Sequence, residues 1–320
     1  MSVLQALDIG LAFLVFAVAA WTIFARGAFA ATVGYVVYGL LLSLVWIRLF
    51  AVDVALTEAA IGSGVTGVLL IGAAARLRGG ERSTAVEKSF SGLPRVFVAA
   101  LCVLVALGLA AVVLLFPDQG PSLAAQSMQH LPETGLGNPV TAVLIAYRAF
   151  DTMLEKVVLV LAVVGVWSLA ADRYWGGAPG EPRAERPEPT LAFLAQVLAP
   201  LGVLVGIHIF WVGADEPGGA FQGGAILAAM WIIVMMARLT EAPPTSAFWL
   251  RLALIAGPLV FLIAGVAGAM FAGGFFAYPP GFAKPVILFI EAFMVLSIAV
   301  ALPMLTAGPP RREPKVDGSR

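Results

Sequence analysis

Pro217-Gly218-Gly219-Ala220-Phe221-Gln222-Gly223-Gly224 is the stretch on which the fold of this chain turns. Proline and paired glycines cannot sustain a helix interior, so the chain must change direction there. On both sides, over 191–212 and 221–239, the sequence is almost free of charge for membrane-spanning lengths. The run is therefore expected to be a tight hairpin between two transmembrane helices at one membrane surface, with positive φ at its glycines.

Working outward, the composition agrees. Of 320 residues, 61% are hydrophobic and 12% charged, too little polar surface to cover a soluble globule. The fold class expected is all-α, a polytopic integral membrane protein. Apolar runs at 3–24, 29–49, 54–75, 96–116, 140–170, 191–212, 221–239, 248–271 and 285–306 predict about nine spans. Polar stretches at 76–95 and 117–139 read as loops, and a Pro, Gly, Arg and Glu-rich linker divides two blocks of helices. Gly257-Pro258 is expected to break the eighth span midway.

Orientation follows from Lys and Arg placement. Arg26, the cluster from Arg76 to Arg95, Arg173, Arg183, Arg186, Arg238, Arg251 and the tail from Arg311 fall on one side of a nine-span chain, whereas the 117–139 loop and the glycine hairpin carry no Lys or Arg. This places the N-terminus outside and the C-terminus in the cytoplasm of a bacterial inner membrane. One cysteine, Cys102, and two distant histidines, His130 and His208, offer no ligand-spaced set. No metal centre, cofactor or catalytic centre is expected of this chain, and no nucleic-acid partner.

Ionisable residues inside spans each demand a reason. In the fifth span Arg148, Asp151 and Glu155 are spaced three and four apart along one helical stripe, with Lys156 about 100° round from Glu155. At about 1.5 Å per residue, Glu155 is expected roughly 20 Å below the outer end of that span. The stripe reads either as an internally neutralised packing surface or as a proton or ion relay. In the third span Asp53 reads as a helix N-cap and Glu58 as a deeper, protonatable carboxyl beside Gly62-Ser63-Gly64. His208, before the hairpin, reads as a packing residue or a relay near the outer face, and Glu291, in the last span, as a helix-bonding acid or a further relay site.

The segment from His208 through Gly224 resembles the B subunit of Mrp-type Na+/H+ antiporters, whose glycine-rich turn is written roughly PGGGFxGG; Ala220 stands at its third glycine. The run Asp53-Val54-Ala55-Leu56-Thr57-Glu58-Ala59-Ala60-Ile61-Gly62 resembles the D subunit of membrane-bound hydrogenase complexes, found also in the C-terminal part of MrpA. The block from Asn138 to Val166 is similar to the E subunit of those complexes, keeping Asn138, Leu144, Arg148, Asp151, Thr152 and Glu155; Ala146 replaces an acid of the pattern, and Lys156 an apolar residue. The chain thus reads as a D-like block (1–90), an E-like block (91–175), a linker (176–189), a B-like domain (190–308) and a basic tail (309–320).

These resemblances imply a subunit that bridges pump modules in a multisubunit complex related to respiratory complex I. Its partners would be large antiporter-like subunits, small Mrp-type subunits and the bilayer. Glu58 and Glu155 would line a path for H+, with Na+ left open; Asp151, Arg148 and Lys156 would tune it, and His208 and Glu291 would serve its exit. Asp53, Pro217, Gly218, Gly219, Gly223 and Gly224 would hold the structure. Two alternatives remain, a purely structural scaffold and the ion arm of an energy-converting redox complex. A standalone permease is the weakest.

Overall fold

The computed structural model describes residues 2–81, 92–115, 122–180 and 189–313. Arg82, Lys88, Arg183, Arg186, Lys315 and Arg320, on which part of the charge pattern rests, lie outside the described residues, as do 117–121, most of the linker and most of the tail. The described residues are helical, with one isolated bridge between Pro179 and Pro310 in place of any strand.

The helices are α1 (Val3–Phe24), α2 (Ala28–Arg48), and α3, a rod built from Val52–Thr57, a π-helical stretch Glu58–Val65, and Thr66–Glu81. Next come α4 (Leu93–Leu115) and a short α5 (Ala124–Thr134). The rod α6 comprises Pro139–Thr141, a second π stretch Ala142–Tyr147, and Ala149–Trp167. After it come α7 (Pro189–Val212), α8 (Ala220–Met236), α9 (Phe248–Phe271) and α10 (Ala283–Ala307). Seven of these are long and apolar enough to cross a membrane; α8 is shorter, and α6 is interrupted and charged. The chain is a multi-pass, all-helical membrane protein. α1 buries no residue within the chain, as befits a helix that is apolar all round and faces lipid or a neighbouring protein.

The packed centre is α8, held between α7 and α10, with α9 and α6 closing around α10. Ile145, Met153, Phe261, Ile287, Ile290 and Met294 form the core where α6, α9 and α10 meet. A second core joins Val163 and Trp167 of α6 to Leu250, Leu254, Ala301 and Met304. A third joins Val65 of α3 to Ala225, Ala228, Ile298 and Leu302. α3 therefore touches the glycine-hairpin domain through its π stretch.

Three expectations are corrected. The 117–139 loop contains α5, because Ala124, Ala125, Gln126 and Met128 are good helix formers and Gly135, at φ +66°, caps the C-terminus in the left-handed region. α9 runs unbroken through Gly257-Pro258. Pro258 cannot donate to the Leu254 carbonyl one turn earlier, but Ser297 Oγ of α10 does so at 2.6 Å. Gly257 makes this approach possible, since a Cβ there would lie 2.9 Å from Ser297 Cβ. Asp53, finally, is not an N-cap. Ala51 occupies that position without a side-chain bond, and Asp53 is buried one residue inside α3.

Candidate functional site

The hairpin turns back into the protein rather than lying flat at a surface. Gly219 N–H donates to Ile209 O at 3.0 Å, so α8 starts about one turn below the end of α7. That accounts for the shortness of α8, whose 17 residues extend only about 26 Å. Gly218 (φ +152°) and Gly219 (φ +123°) have the positive φ expected of the turn. A Cβ on Gly218 would meet Ile209 O at 2.4 Å, so no other residue fits without backbone movement. Gly223 and Gly224 are buried where α8 crosses α7 and α10. Pro217, which has no N–H to donate, lies in the bend just before the turn and cannot continue the helix.

Asp53 holds this turn in place. Its Oδ1 accepts from Gly218 N–H at 2.9 Å and from Asn138 Nδ2 at 3.5 Å. Asn138 Nδ2 also donates to Gly213 O at 3.2 Å and Glu216 O at 2.9 Å, while its Oδ1 caps α6 by accepting from Val140 N–H at 2.8 Å. Thr141 Oγ1 donates to Gly213 O at 2.6 Å, and Gln222 Nε2 bonds Asp53 O at 3.3 Å and Thr57 Oγ1 at 3.2 Å. Three segments more than 70 residues apart in sequence thus share one buried polar node.

Beneath this node lies a cavity of about 180 Å3, lined by residues of α3, α6, α8 and α10 that include Thr57, Thr152, Glu155, Lys156, Gln222 and Glu291. Lys156 is buried (2% exposed), whereas Glu155, although it faces the cavity, is 53% exposed. Lys156 Nζ donates to Glu155 Oε1 at 2.9 Å and sits 4.4 Å from the centroid of the Phe221 ring. Both contacts favour a cation. Glu291 is buried in α10; its Oε1 accepts from Ala220 N–H at 3.3 Å, at the N-terminus of α8, and its Oε2 has no partner among the described residues. A carboxyl facing a helix N-terminus is favoured by the exposed amides there.

The backbone of α6 opens beside the cavity. Its π stretch ends at Arg148, whose φ of −126° and ψ of 36° leave the helix. The Leu144 and Ile145 carbonyls find side-chain donors instead: Thr152 Oγ1 at 2.6 Å and Tyr278 Oη at 2.8 Å. Burial, and then the nearby Glu291, push the Tyr278 hydroxyl above its ordinary pKa. Arg148 and Asp151 lie outside the cavity in an adjoining open recess with Phe275 and Phe276, joined by Arg148 Nε to Asp151 Oδ2 at 2.6 Å.

The structure therefore brings Glu155, Lys156 and Glu291 together under the hairpin, with Asp53 above them. It does not bring Glu58 or His208 there. Glu58 opens the π stretch of α3, half-buried against Gly39 and Gly62, near the Ser63 hydroxyl, which has no partner among the described residues. His208 is exposed on α7. Gln222, Phe221 and Tyr278 join the site without having been expected there. An amide amid glycines is the one signal the sequence offers for Gln222; nothing marks Tyr278.

Residues 13–79 match the MbhD family, described as the D subunit of MBH, and residues 190–307 match the domain related to the MnhB subunit of Na+/H+ antiporter. The chain unites an MbhD domain and an MnhB-related domain. It carries domains of the Mrp/Mbh-related type. In fold it is similar to a chain of the Mrp complex from Dietzia sp. DQ12-45-1b, with a TM-score of 0.70 and 22% identity over 95% of this chain and 35% of that one. It is also similar to a chain of the membrane-bound sulfane sulfur reductase, an archaeal respiratory membrane complex, with a TM-score of 0.55 and 25% identity over 67% of this chain and 97% of that one. The Methanocaldococcus jannaschii protein MJ1307 is 33% identical over 157 residues, 44% of this chain and 59% of that protein. The chain thus spans less than two thirds of that relative's own length.

Proposed function

We propose that this chain is a subunit of a multisubunit cation/proton antiporter-like complex, and that the cavity under the hairpin is part of its ion path. The observation that carries this is the convergence of Glu155, Lys156 and Glu291 on one cavity where the MbhD block, the intervening E-like block and the MnhB-related domain meet. Two carboxyls and an amine within a membrane-spanning bundle are costly unless they exchange charge or meet water. The open side of Glu155, the recess of Arg148 and Asp151, and the positions of Glu58 and His208 are the places where neighbouring pump subunits would extend the path. The complex would lie in a bacterial inner membrane, the chain's N-terminus outside, with the driving chemistry supplied by partners.

The test is Glu155→Gln and Glu291→Gln in the assembled complex, with proton flux measured in proteoliposomes. Loss of flux with normal assembly supports the path. Full flux in both variants removes it and leaves a scaffold. The scaffold alternative has its own support in the Asp53–Asn138–Gly218 node, which ties the blocks together. The likeness to a chain of the sulfane sulfur reductase favours a redox-driven complex; co-purification of a protein carrying a metal cluster would decide for it.

A further inference from the structure

The cavity lining is mostly apolar but carries oxygens: the Thr57, Thr141 and Thr152 hydroxyls, each donating to a backbone carbonyl, the Gln222 amide, and the Glu155 and Glu291 carboxyls. Hard cations choose such oxygen sets. Yet a basic side chain already occupies the site, on a tether. Lys156 is 2% exposed and its Nζ is fixed by Glu155 Oε1 at 2.9 Å and by the face of Phe221 at 4.4 Å. Both anchors sit on helices, and Phe221 lies in the first turn of α8, so the ammonium is held by rigid elements.

From this arrangement we infer that Lys156 is the selectivity element of the cavity: its ammonium takes the place of an alkali cation, so that this path passes protons and refuses Na+. A sodium ion entering would have to stand close to a like charge in a low-dielectric site and would find Glu155 already paired. A proton needs no such room. It passes from Lys156 Nζ to Glu155 Oε1, the N–H bond breaking as the O–H bond forms, and ammonium and carboxylate become amine and acid; Glu155 then releases that proton on its open side, and the amine takes up another from within the cavity to restore the pair. Glu291, with one carboxyl oxygen unpartnered among the described residues, is the second carboxyl in the cavity that can carry a proton. This selectivity rests on the translocation role proposed above.

The experiment uses the assembled complex in proteoliposomes, reading proton flux with a pH-sensitive dye and sodium with 22Na+ uptake. Glu155→Gln should lower proton flux about tenfold or more and leave 22Na+ uptake unchanged. Lys156→Met should raise Glu155-dependent 22Na+ uptake about tenfold over the wild-type chain, and Lys156→Arg, which keeps the charge, should not. Wild-type 22Na+ uptake that falls with Glu155→Gln overturns the selectivity, as does an assembled Lys156→Met complex without sodium gain. If Lys156→Met does not assemble, the sodium comparison of wild type with Glu155→Gln decides alone. Proton flux unaffected by Glu155→Gln alone also overturns the Lys156–Glu155 transfer; flux unaffected by Glu291→Gln as well would instead sink the translocation role, and the selectivity with it.

Discussion

Replacing Asp53 by alanine tests how the hairpin is held. The substitution removes the carboxylate that meets Gly218 N–H at 2.9 Å and Asn138 Nδ2 at 3.5 Å. Asn138 keeps the Gly213 and Glu216 carbonyls, and Gln222 keeps the main-chain oxygen at position 53 and Thr57. The loss therefore falls mainly on Gly218, whose amide is left without an acceptor in a buried site. An orphaned buried donor costs about 1–3 kcal/mol, and bonds to a charged acceptor lie at the stronger end, so about 2–4 kcal/mol is expected. Asp53→Asn retains one oxygen for Gly218 and should cost only about 1 kcal/mol. Thermal unfolding of the purified protein in mild detergent, followed by tryptophan fluorescence, orders the three proteins. Equal stability of wild type and Asp53→Ala, or an asparagine variant as damaged as the alanine one, would refute the node.

Further outcomes follow from the same geometry. Gly218→Ala should destabilise more than Gly219→Ala, because its Cβ would meet Ile209 O at 2.4 Å whereas that of Gly219 lies 3.4 Å from its nearest neighbour, the Glu291 side chain; unfolding midpoints in detergent compare them. Thr152→Val leaves the Leu144 carbonyl without its hydroxyl donor and should cost about 1–2 kcal/mol, with hydrogen exchange rising locally in α6. Ser297→Ala should cost a similar amount, about 1–2 kcal/mol, by freeing the Leu254 carbonyl that Pro258 leaves open, and a denaturant titration checks it. His208→Gln, at an exposed position, should move the melting midpoint by less than about 0.5 kcal/mol equivalent.

Much of the architecture was legible because it depends on local chemistry. Glycine and proline spacing marked the hairpin and its positive φ, and charge-free runs marked the rods. What escaped reading depends on distant partners. Asp53 looked like a helix cap because its neighbours are local, but its ligands come from residues 85 and 165 positions away. Pro258 looked like a break because nothing nearby in sequence replaces its donor; Ser297 does so from α10. The π stretches at Glu58–Val65 and Ala142–Tyr147 carry the same apolar pattern as an α-helix over so few residues, so periodicity could not separate them. Along α6 the single stripe from Arg148 to Glu155 is interrupted at Arg148, and it is Lys156 that turns inward while Glu155 opens outward. The convergence of Glu291 with that pair could not be read from spacing, because α10 is joined to α6 only through the linker and the helices α7, α8 and α9.

The most direct measurement is the water content of the cavity in the assembled complex, from a cryo-electron microscopy map fine enough to show ordered solvent. Room for several waters exists in about 180 Å3. Waters linking Glu155, Lys156 and Glu291 are predicted. A dry cavity, its carboxyls sealed apart by apolar side chains, would contradict ion passage here.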